Sequence, residues 1–577
     1  MKDQISTATK LLYPGRIPLK YNRSDLTGFL QRFSKVALIQ NFLKTHLALI
    51  FLIPFSFLLI FTGLDDTVLQ VDESADTFIS TTILKYGYPK HSDGTHYTMP
   101  EGDAFGGVFL YRTWIPYYLQ SISLQLFGQN TLSARLPFAV LGVFSIWGLY
   151  SFTLRLTNRK TIAFMASLLL ATSVPALLYF RTARYVAIPI LLTPLLLKFY
   201  ITIFDKAKWN PVPLTLVSII YFHTMYVEFA GVIMGMLAHL YVYRNRVTGS
   251  NLAKVKGSAI ITGLLCLPWL ATLPALMSKL AEFYTSASPL IDTSWWRFPK
   301  HFFAFLFQIN NYIFPFILAP FLFITYLKHQ RFQVSLLSFC SISVLITASL
   351  HSIPLMQYIS ACIPLLLVLL AMIVFYIFEK SIARQSALLL VLIFTNLIHV
   401  GPLLPVKQIA LRYPENFVVS DYRQYAYETF LREANLKSVF YQYWEELTHR
   451  YQGPLDKLVL FFEKNGKKGA TCYIDSEFES LTFYTGMEMI PNQHLSPQHP
   501  PDWIVLRGID RIFEGNLTKE ARNVKEVLQA NTYTRIELDA PAIQANNTYD
   551  IQIHQFRSPS SNDKVFIYQL SQHKKAL

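Results

Sequence analysis

Charge is scarce in this chain of 577 residues: Asp, Glu, Lys and Arg make up 15% of it, against 52% hydrophobic residues. So apolar a composition excludes an ordinary soluble enzyme and leaves room for many membrane spans beside a water-exposed region. Cysteine is scarcer still. Cys266, Cys340 and Cys362 fall in apolar runs and Cys472 stands alone in the polar C-terminal part. That excludes a disulfide framework for the exposed region and any zinc-ligand spacing. Internal repeats are missing, and with them the inverted symmetry usual in transporters. A basic soluble face interleaved with aromatics is also lacking, so the formal charge of +15 does not signal nucleic acid.

What is present is a series of apolar runs able to cross about 30 Å of hydrocarbon. They occupy 44–63, 134–154, 161–179, 185–204, 211–227, 228–243, 257–277, 302–327, 333–350, 354–378 and 385–404, eleven in all. A polar, basic stretch of about forty residues precedes the first, too long for the leader of a cleaved signal peptide, so that span is expected to stay as an anchor. With the tail carrying Arg16, Lys20, Arg23, Arg32 and Lys35 in the cytoplasm, the basic turns at Arg155/Arg159/Lys160, Lys206/Lys208, Arg244/Arg246/Lys254/Lys256, Lys328/Arg331 and Lys380/Arg384 share its side. The positive-inside rule then holds at every cytoplasmic turn.

The same alternation puts the loop 64–133, the loop near 278–301, the turns at Arg181 and His351, and everything after about 405 on the outer face. Arg181 and Arg184 carry charge where topology disfavours it, which points to an anionic ligand or to lipid head groups. The expected organisation is a cytoplasmic basic tail (1–43), a transmembrane domain (44–404) with its chemistry in the first outer loop (64–133), and an extracytoplasmic α/β domain (405–577). In the last of these, Leu455–Lys464 reads as an amphipathic helix stopped by Asn465-Gly466. Strands are expected at Thr471–Ile474 and Trp503–Leu506, a helix near Glu477–Tyr484, and a terminal strand pair at Tyr549–His554 and Val565–Leu570. No catalytic motif stands out there; accessory work, acceptor binding or structural capping fits equally.

Just past the first apolar run comes Val71-Asp72-Glu73, followed by an amphipathic segment ending at Tyr86-Gly87. A second such segment, Trp114 to Phe127, closes at Gly128, and Ser133-Ala134-Arg135-Leu136-Pro137 opens the next run. Both segments suit helices lying in the membrane interface. Taken alone, a carboxylate pair at a helix start is a cap or a partner of the helix dipole.

The ordered set of these elements resembles the GT-C superfamily of membrane glycosyltransferases, in the branch of the protein O-mannosyltransferases and the lipid A aminoarabinose transferases. The likeness is carried by one apolar span, an Asp-Glu pair, two interfacial helices with Leu126-Phe127-Gly128 closing the second, and the Ala134-Arg135-Leu136-Pro137 step. It runs over roughly 44–205 and more weakly to 405. It implies a GT-C-like polytopic helical fold of about eleven transmembrane helices with interfacial helices, joined to a soluble α/β domain. It further implies an inverting transfer of a monosaccharide from a polyprenyl-phosphate carrier to a hydroxyl of a protein, lipid or glycan acceptor, in a bacterial plasma membrane. Topology favours the same donor, since nucleotide sugars are cytoplasmic. A transporter or lipid flippase, or an inactive sugar- or lipid-binding relative, is the alternative.

The resemblance implies Asp72 as the base that takes the acceptor proton, with Glu73 orienting it or the substrate. Relatives carry a lysine at the head of the second interfacial helix, which counts to Arg112 here; as a fork on the donor phosphate it competes with a snorkelling role. Arg181-Thr182-Ala183-Arg184 matches the family's Arg-Tyr-Ala-Arg turn, adding Arg184 and Arg181 as phosphate partners. Many relatives place an Asp two residues further on, where this chain has Val186. Either that second carboxylate is dispensable, or a group such as Glu101, Asp103 or Glu228 replaces it, or the chain is not an active transferase; the gap also argues against a metal-dependent mechanism. No cofactor is required on this reading, and a divalent cation stays an option. Substrate contacts are sought at His223 and Glu228, which also suit a buried pair, at Trp295 in an aromatic belt, and at His351, Gln357 and Tyr358.

Overall fold

The computed structural model describes residues 48–96, 98, 107–205, 209–275, 296–327, 330–351, 353–400, 438–449, 452–474, 477–507, 519–541, 548–552, 554, 556 and 564–572. Glu101, Asp103 and Trp295 lie outside these, as does the domain boundary expected near 405. The chain divides into compact units at Phe51/Leu52. Of the first, only Ala48–Phe51, the opening of helix α1 (Ala48–Phe61), is described; everything below concerns the second.

Where they are described, the apolar runs fall mainly on helix, but the helices are unequal. α4 (Thr131–Thr157), α7 (Ala187–Ile201, continued to Phe204), α9 (Tyr226–Tyr243), α10 (Gly249–Leu270) and α13 (Arg331–Ala348) are long and apolar enough to cross a membrane. The run 161–179 is a bent pair, α5 (Lys160–Ala171) and α6 (Val174–Phe180), at 64°. Pro175 explains the break, because its ring would meet the carbonyl of residue 171 and it offers no N–H. Counting that pair as one span gives up to six among the described residues. α1, α8 (Val212–Phe222), α14 (Cys362–Ile377) and α15 (Ile382–Phe394) are apolar but shorter. The run 302–327 is split into α11 (Arg297–Tyr312) and α12 (Pro320–Leu327) around Pro315. The expectation of eleven full spans is therefore met only in part.

Two observations fit these helices to lipid. α10 leaves Ile260, Ile261, Leu264, Leu265 and Leu267 exposed on its surface, a patch that water would disfavour. α9 instead packs tightly on α13: a Cβ at Gly235 would sit 2.4 Å from the Cα of Cys340, and one at Gly231 2.7 Å from that of Val344. Small residues four apart allow this backbone approach, the usual means of holding helices together in a bilayer.

The loop after α1 carries α2 (Val71–Tyr86) and α3 (Ile115–Phe127), as the amphipathic segments predicted. Gly87, at φ 80°, ends α2 in the left-handed conformation that glycine adopts without strain. Polar groups bind the two helices: Ser80 donates to Gln120 at 2.6 Å, and Gln120 donates to Thr77 at 2.9 Å.

The C-terminal part contains α17 (Val439–Thr448), after the short α16 (Leu397–Val400), then α18 (Pro454–Asn465), β1 (Thr471–Ile474), α19 (Phe478–Thr485), β2 (Glu488–Met489), β3 (Trp503–Leu506), α20 (Lys519–Ala530), β4 (Thr532–Pro541) and β5 (Lys564–Gln572). The sheet order is β2-β1-β3-β5-β4, parallel across β2, β1 and β3 and antiparallel across β5. Val505 pairs with both Ile474 and Ile567 and shares a core with Leu458, Phe462, Cys472 and Trp503. One strand expectation fails: β5 pairs with β4 and β3, while Tyr549–Gln552 form a turn. Asp550 accepts the N–H of Gln552 at 3.2 Å, a local bond that competes with a ladder, and Tyr549, Ile551 and Phe556 pack into the core of the apolar helices.

This region docks on the start of α2. Asp456 accepts the N–H of Val68 at 2.7 Å, Tyr484 that of Leu69 at 2.9 Å, and Ser480 bonds Ser74 at 2.8 Å. Beneath the contact Glu73, 3% exposed, accepts from Gln70 N–H at 3.1 Å, Ala183 N–H at 2.7 Å and Arg135 Nε and Nη2 at 2.9 and 2.8 Å. Arg135 also donates to the carbonyls of Leu64, Thr67 and Val68. Four segments meet on this buried pair, and removing one partner leaves the other's charge unpaired. Glu73→Ala and Arg135→Ala should each lower stability by about 3–5 kcal/mol, and the double variant by less than their sum. Thermal unfolding of the detergent-solubilised protein checks this; unchanged midpoints would contradict the role.

Candidate active site

The helical period puts Asp72 and Asp76, four residues apart, on one face of α2. Gln70 caps the helix by accepting Asp72 N–H at 3.0 Å, which holds Asp72 in the first turn. The turn between α6 and α7 presents Arg184 to this face. Arg184 is 1% exposed and forks across both carboxylates, with Nη1 at 2.6 Å from Asp72 Oδ2 and Nε at 3.0 Å from Asp76 Oδ2. From the other side Arg112, just ahead of α3, reaches Asp76 Oδ1 at 2.6 Å. Tyr117 donates to the same oxygen at 3.1 Å. The ring of Tyr185 lies 5.2 Å from the guanidinium of Arg112 and 5.4 Å from that of Arg184, close enough for cation–π attraction.

Two members keep an open face. Asp72 retains 49% of its side-chain surface and Arg112 34%, whereas Asp76 retains 6%. Burial works to raise the Asp72 pKa, but the charges of Arg184 and Arg112 outweigh it and hold the carboxyl below its usual range. Arg112 is likewise opposed by burial and sustained by Asp76, so its cation is secured. The site thus presents an ionised, approachable carboxylate beside an approachable guanidinium, bridged by the buried pair Asp76 and Arg184.

Asp76 and Tyr549 were not expected at the site; the sequence placed Tyr549 only at the start of a strand. Asp76 supplies a second carboxylate on the same helix as Asp72, while Val186, where the resemblance implied one, is fully buried among apolar side chains. Its signal was the four-residue spacing from Asp72. Tyr549 arrives from the C-terminal turn and donates to Asp72 Oδ2 at 2.6 Å, also touching Arg184 Nη1; nothing local marked it.

The other expected residues divide. Gln357 is buried at the site, with Oε1 3.4 Å from Arg184 Nη1. Tyr358 stacks on His351, centroids 3.8 Å apart and planes at 6°; burial pushes the His351 imidazole down to about 4, so it is neutral. Glu73, adjacent to Asp72, points instead into the strut with Arg135. Arg181 donates to the carbonyls of Ile60, Thr62 and Gly63 and so closes the C-terminal end of α1, where carbonyls lack helical partners. His223 and Glu228 do not pair: His223 Nε2 faces the Leu265 carbonyl at 3.4 Å, and Glu228 accepts from Ser360 at 3.0 Å. Among the described residues no group of three or more His, Cys, Asp or Glu is arranged to hold a metal ion.

Against known proteins, residues 112–272 match the family model described as dolichyl-phosphate-mannose-protein mannosyltransferase. That stretch opens at Arg112 and includes Arg181 and Arg184, while Asp72 and Asp76 precede it. ArnT from Cupriavidus metallidurans bound to undecaprenyl phosphate aligns with TM-score 0.51 at 12% identity, over 92% of this chain and 99% of that one. The chain shares the fold of that ArnT structure. Apo ArnT from the same organism gives 0.48 at 13% identity over 83% and 93%. The oligosaccharyltransferase AglB from Archaeoglobus fulgidus, in complex with an inhibitory peptide and a dolichol-phosphate, gives 0.44 at 12% over 93% and 75%. No curated protein matches the sequence.

Because the arginines hold Asp72 ionised, activity that depends on this carboxylate should not fall between pH 7 and pH 5. Arg112→Ala weakens that hold, so the acid limb of its kcat/KM profile should move upward. A wild-type acid limb near pH 6 would contradict the assignment.

Proposed function

We propose that the protein is an inverting glycosyltransferase that moves a monosaccharide from a polyprenyl-phosphate carrier to an acceptor hydroxyl at the outer face of a bacterial plasma membrane. The observation that carries this is the pairing of an open, ionised Asp72 with an open Arg112 through Asp76 and Arg184. The GT-C fold and the mannosyltransferase family match over 112–272 support it.

In this reading Asp72 accepts the proton of the acceptor hydroxyl as its oxygen bonds the anomeric carbon. The bond from that carbon to the phosphate oxygen breaks on the opposite face, which inverts the centre, and its electron pair leaves with the polyprenyl phosphate. Arg112, with Arg184 behind it, receives the growing phosphate charge. The two events reinforce each other electrostatically. Before transfer, the carboxylates of Asp72 and Asp76 balance the two guanidinium charges. Once Asp72 is protonated, one positive charge is left over as the phosphate becomes more negative. The arginines take the part that a divalent cation would otherwise play.

Gln357 and the His351–Tyr358 stack border this centre and are the candidates for donor contacts. The acceptor is a protein, lipid or glycan hydroxyl, and the sheet-bearing C-terminal region stands on the same outer face.

The test is transfer by purified protein from synthetic undecaprenyl-phosphate sugars to hydroxyl acceptors. Asp72→Asn should lower kcat by roughly 10²- to 10⁴-fold, and Arg112→Ala by about 10²- to 10³-fold, with folding retained. Full activity in Asp72→Asn would remove the base assignment, and lipid scrambling without transfer would favour a flippase.

A further inference from the structure

Tyr549 stands where the proposed reaction needs another hydroxyl. Its phenol donates to Asp72 Oδ2 at 2.6 Å, the contact an acceptor hydroxyl makes as a base takes its proton. Its ring lies 4.7 Å from the Arg184 guanidinium and 6.3 Å from the ring of Tyr179. With 6% of its surface exposed, it fills its place. Asp72 Oδ2 already accepts from Arg184, so this oxygen does not serve the phenol and an acceptor together.

The phenol is carried by a short turn that packs through Ile551 on the apolar helices and is tied by His554 and Asp550. Thr548 offers its carbonyl to His554 Nδ1 at 2.6 Å, and His554 Nε2 meets Glu446 Oε2 at 3.1 Å. The His554 ring thus bridges the Thr548 carbonyl and the Glu446 carboxylate. The next residue, Asp550, is buried. Burial pushes its carboxyl up to about 6 against the N–H groups of Gln552 and Met356 that favour its charge. A docked carboxylate that resists ionisation makes the turn easier to lift at neutral pH.

Tyr549 also lines an open pocket, a cavity of about 70 Å³, that includes Asp66, Thr67, Arg181, Thr182, Glu446 and His554. Carboxylates, hydroxyls and a guanidinium dominate these surfaces, a lining for a hydroxyl-rich molecule rather than for an acyl chain. The pocket also reaches Glu73 and Arg135, and so runs beside the first turn of α2.

We propose that Tyr549 is a displaceable plug holding the place of the acceptor hydroxyl, and that the pocket it lines admits a hydroxyl-rich acceptor that reaches Asp72 when the Thr548–Gln552 turn lifts. In the closed state the phenol occupies Asp72 Oδ2, the oxygen that would take a proton from water, while the rest of the side chain stays open, so that the donor is not spent on hydrolysis. This rests on the reading of Asp72 as the base.

The test uses full-length protein in nanodiscs with a panel of undecaprenyl-phosphate sugars and no acceptor, measuring release of free sugar. Tyr549→Ala should raise release about tenfold over wild type, with Tyr549→Phe between them. His554→Ala, which keeps the phenol but unties the turn, should also raise it. If wild type transfers sugar while neither Tyr549 variant changes hydrolysis or acceptor KM, the plug is wrong. Loss of transfer in Tyr549→Phe without gain in hydrolysis, or sugar found attached to Tyr549 itself, overturns it as well.

A second readout is independent of activity. All four native cysteines are buried, so Tyr549→Cys adds a reporter against a silent background. A charged methanethiosulfonate reagent should modify the introduced thiol through the pocket in the folded protein, and an unreactive thiol would contradict the opening. Absence of turnover with every donor in the wild type, beside a reactive thiol in Tyr549→Cys, would count against the transferase reading while sustaining the opening of the turn.

Discussion

One buried guanidinium organises this protein's site. Arg184 is almost wholly removed from solvent and binds both Asp72 and Asp76; an unpaired cation there would cost several kcal/mol. Its pairing fixes the rotation of α2, since residues four apart present both carboxylates to one fork. It also fixes the turn between α6 and α7 against that helix. The arrangement depends in turn on Glu73 and Arg135, which tie the start of α2 to α4 and to Ala183 N–H. Neighbouring residues of like charge thereby divide their work. Asp72 faces the open site and Glu73 the buried strut, while Arg184 serves the carboxylates and Arg181 closes the end of α1.

Much of the scaffold was legible because its causes are local. Continuous apolar runs fall on helices, Gly87 and Gly128 stop the interfacial helices where expected, and Thr471–Ile474 and Trp503–Leu506 are strands. Span lengths were less legible, since prolines at 175 and 315 break runs that hydropathy alone joins. Asp72, Arg112 and Arg184 were identified through the family pattern, and the structure gathers them. Asp76 escaped because a carboxylate in the middle of an amphipathic helix resembles a solvated residue until its arginines are seen. Tyr549 could not be found at all by local pattern: its partner is Asp72, far away in sequence, and its surroundings read as strand.

The C-terminal region therefore does more than cap the membrane-embedded part. Its hydrogen bonds to Val68, Leu69 and Ser74 hold the first turn of α2, and its turn at Thr548–Gln552 reaches Asp72. A substitution in this region would be felt at the site by two routes, one through the rigidity of α2 and one through Tyr549. The mixture of tight packing and accessible charge has a physical logic. Asp76, Arg184 and Tyr117 are buried and mutually satisfied, and they position the partly exposed Asp72 and Arg112, which are left for ligands.

The central claim is that Arg112 and Arg184 form the phosphate end of a site whose base is Asp72. It is tested most directly by an experimental structure of the protein with undecaprenyl phosphate in a lipid nanodisc. The expected result is phosphate density within about 3 Å of the Arg112 guanidinium, at charge-assisted hydrogen-bonding distance, and on the Asp72 face of α2. Phosphate bound away from both arginines, or at the opposite membrane face, would contradict the account.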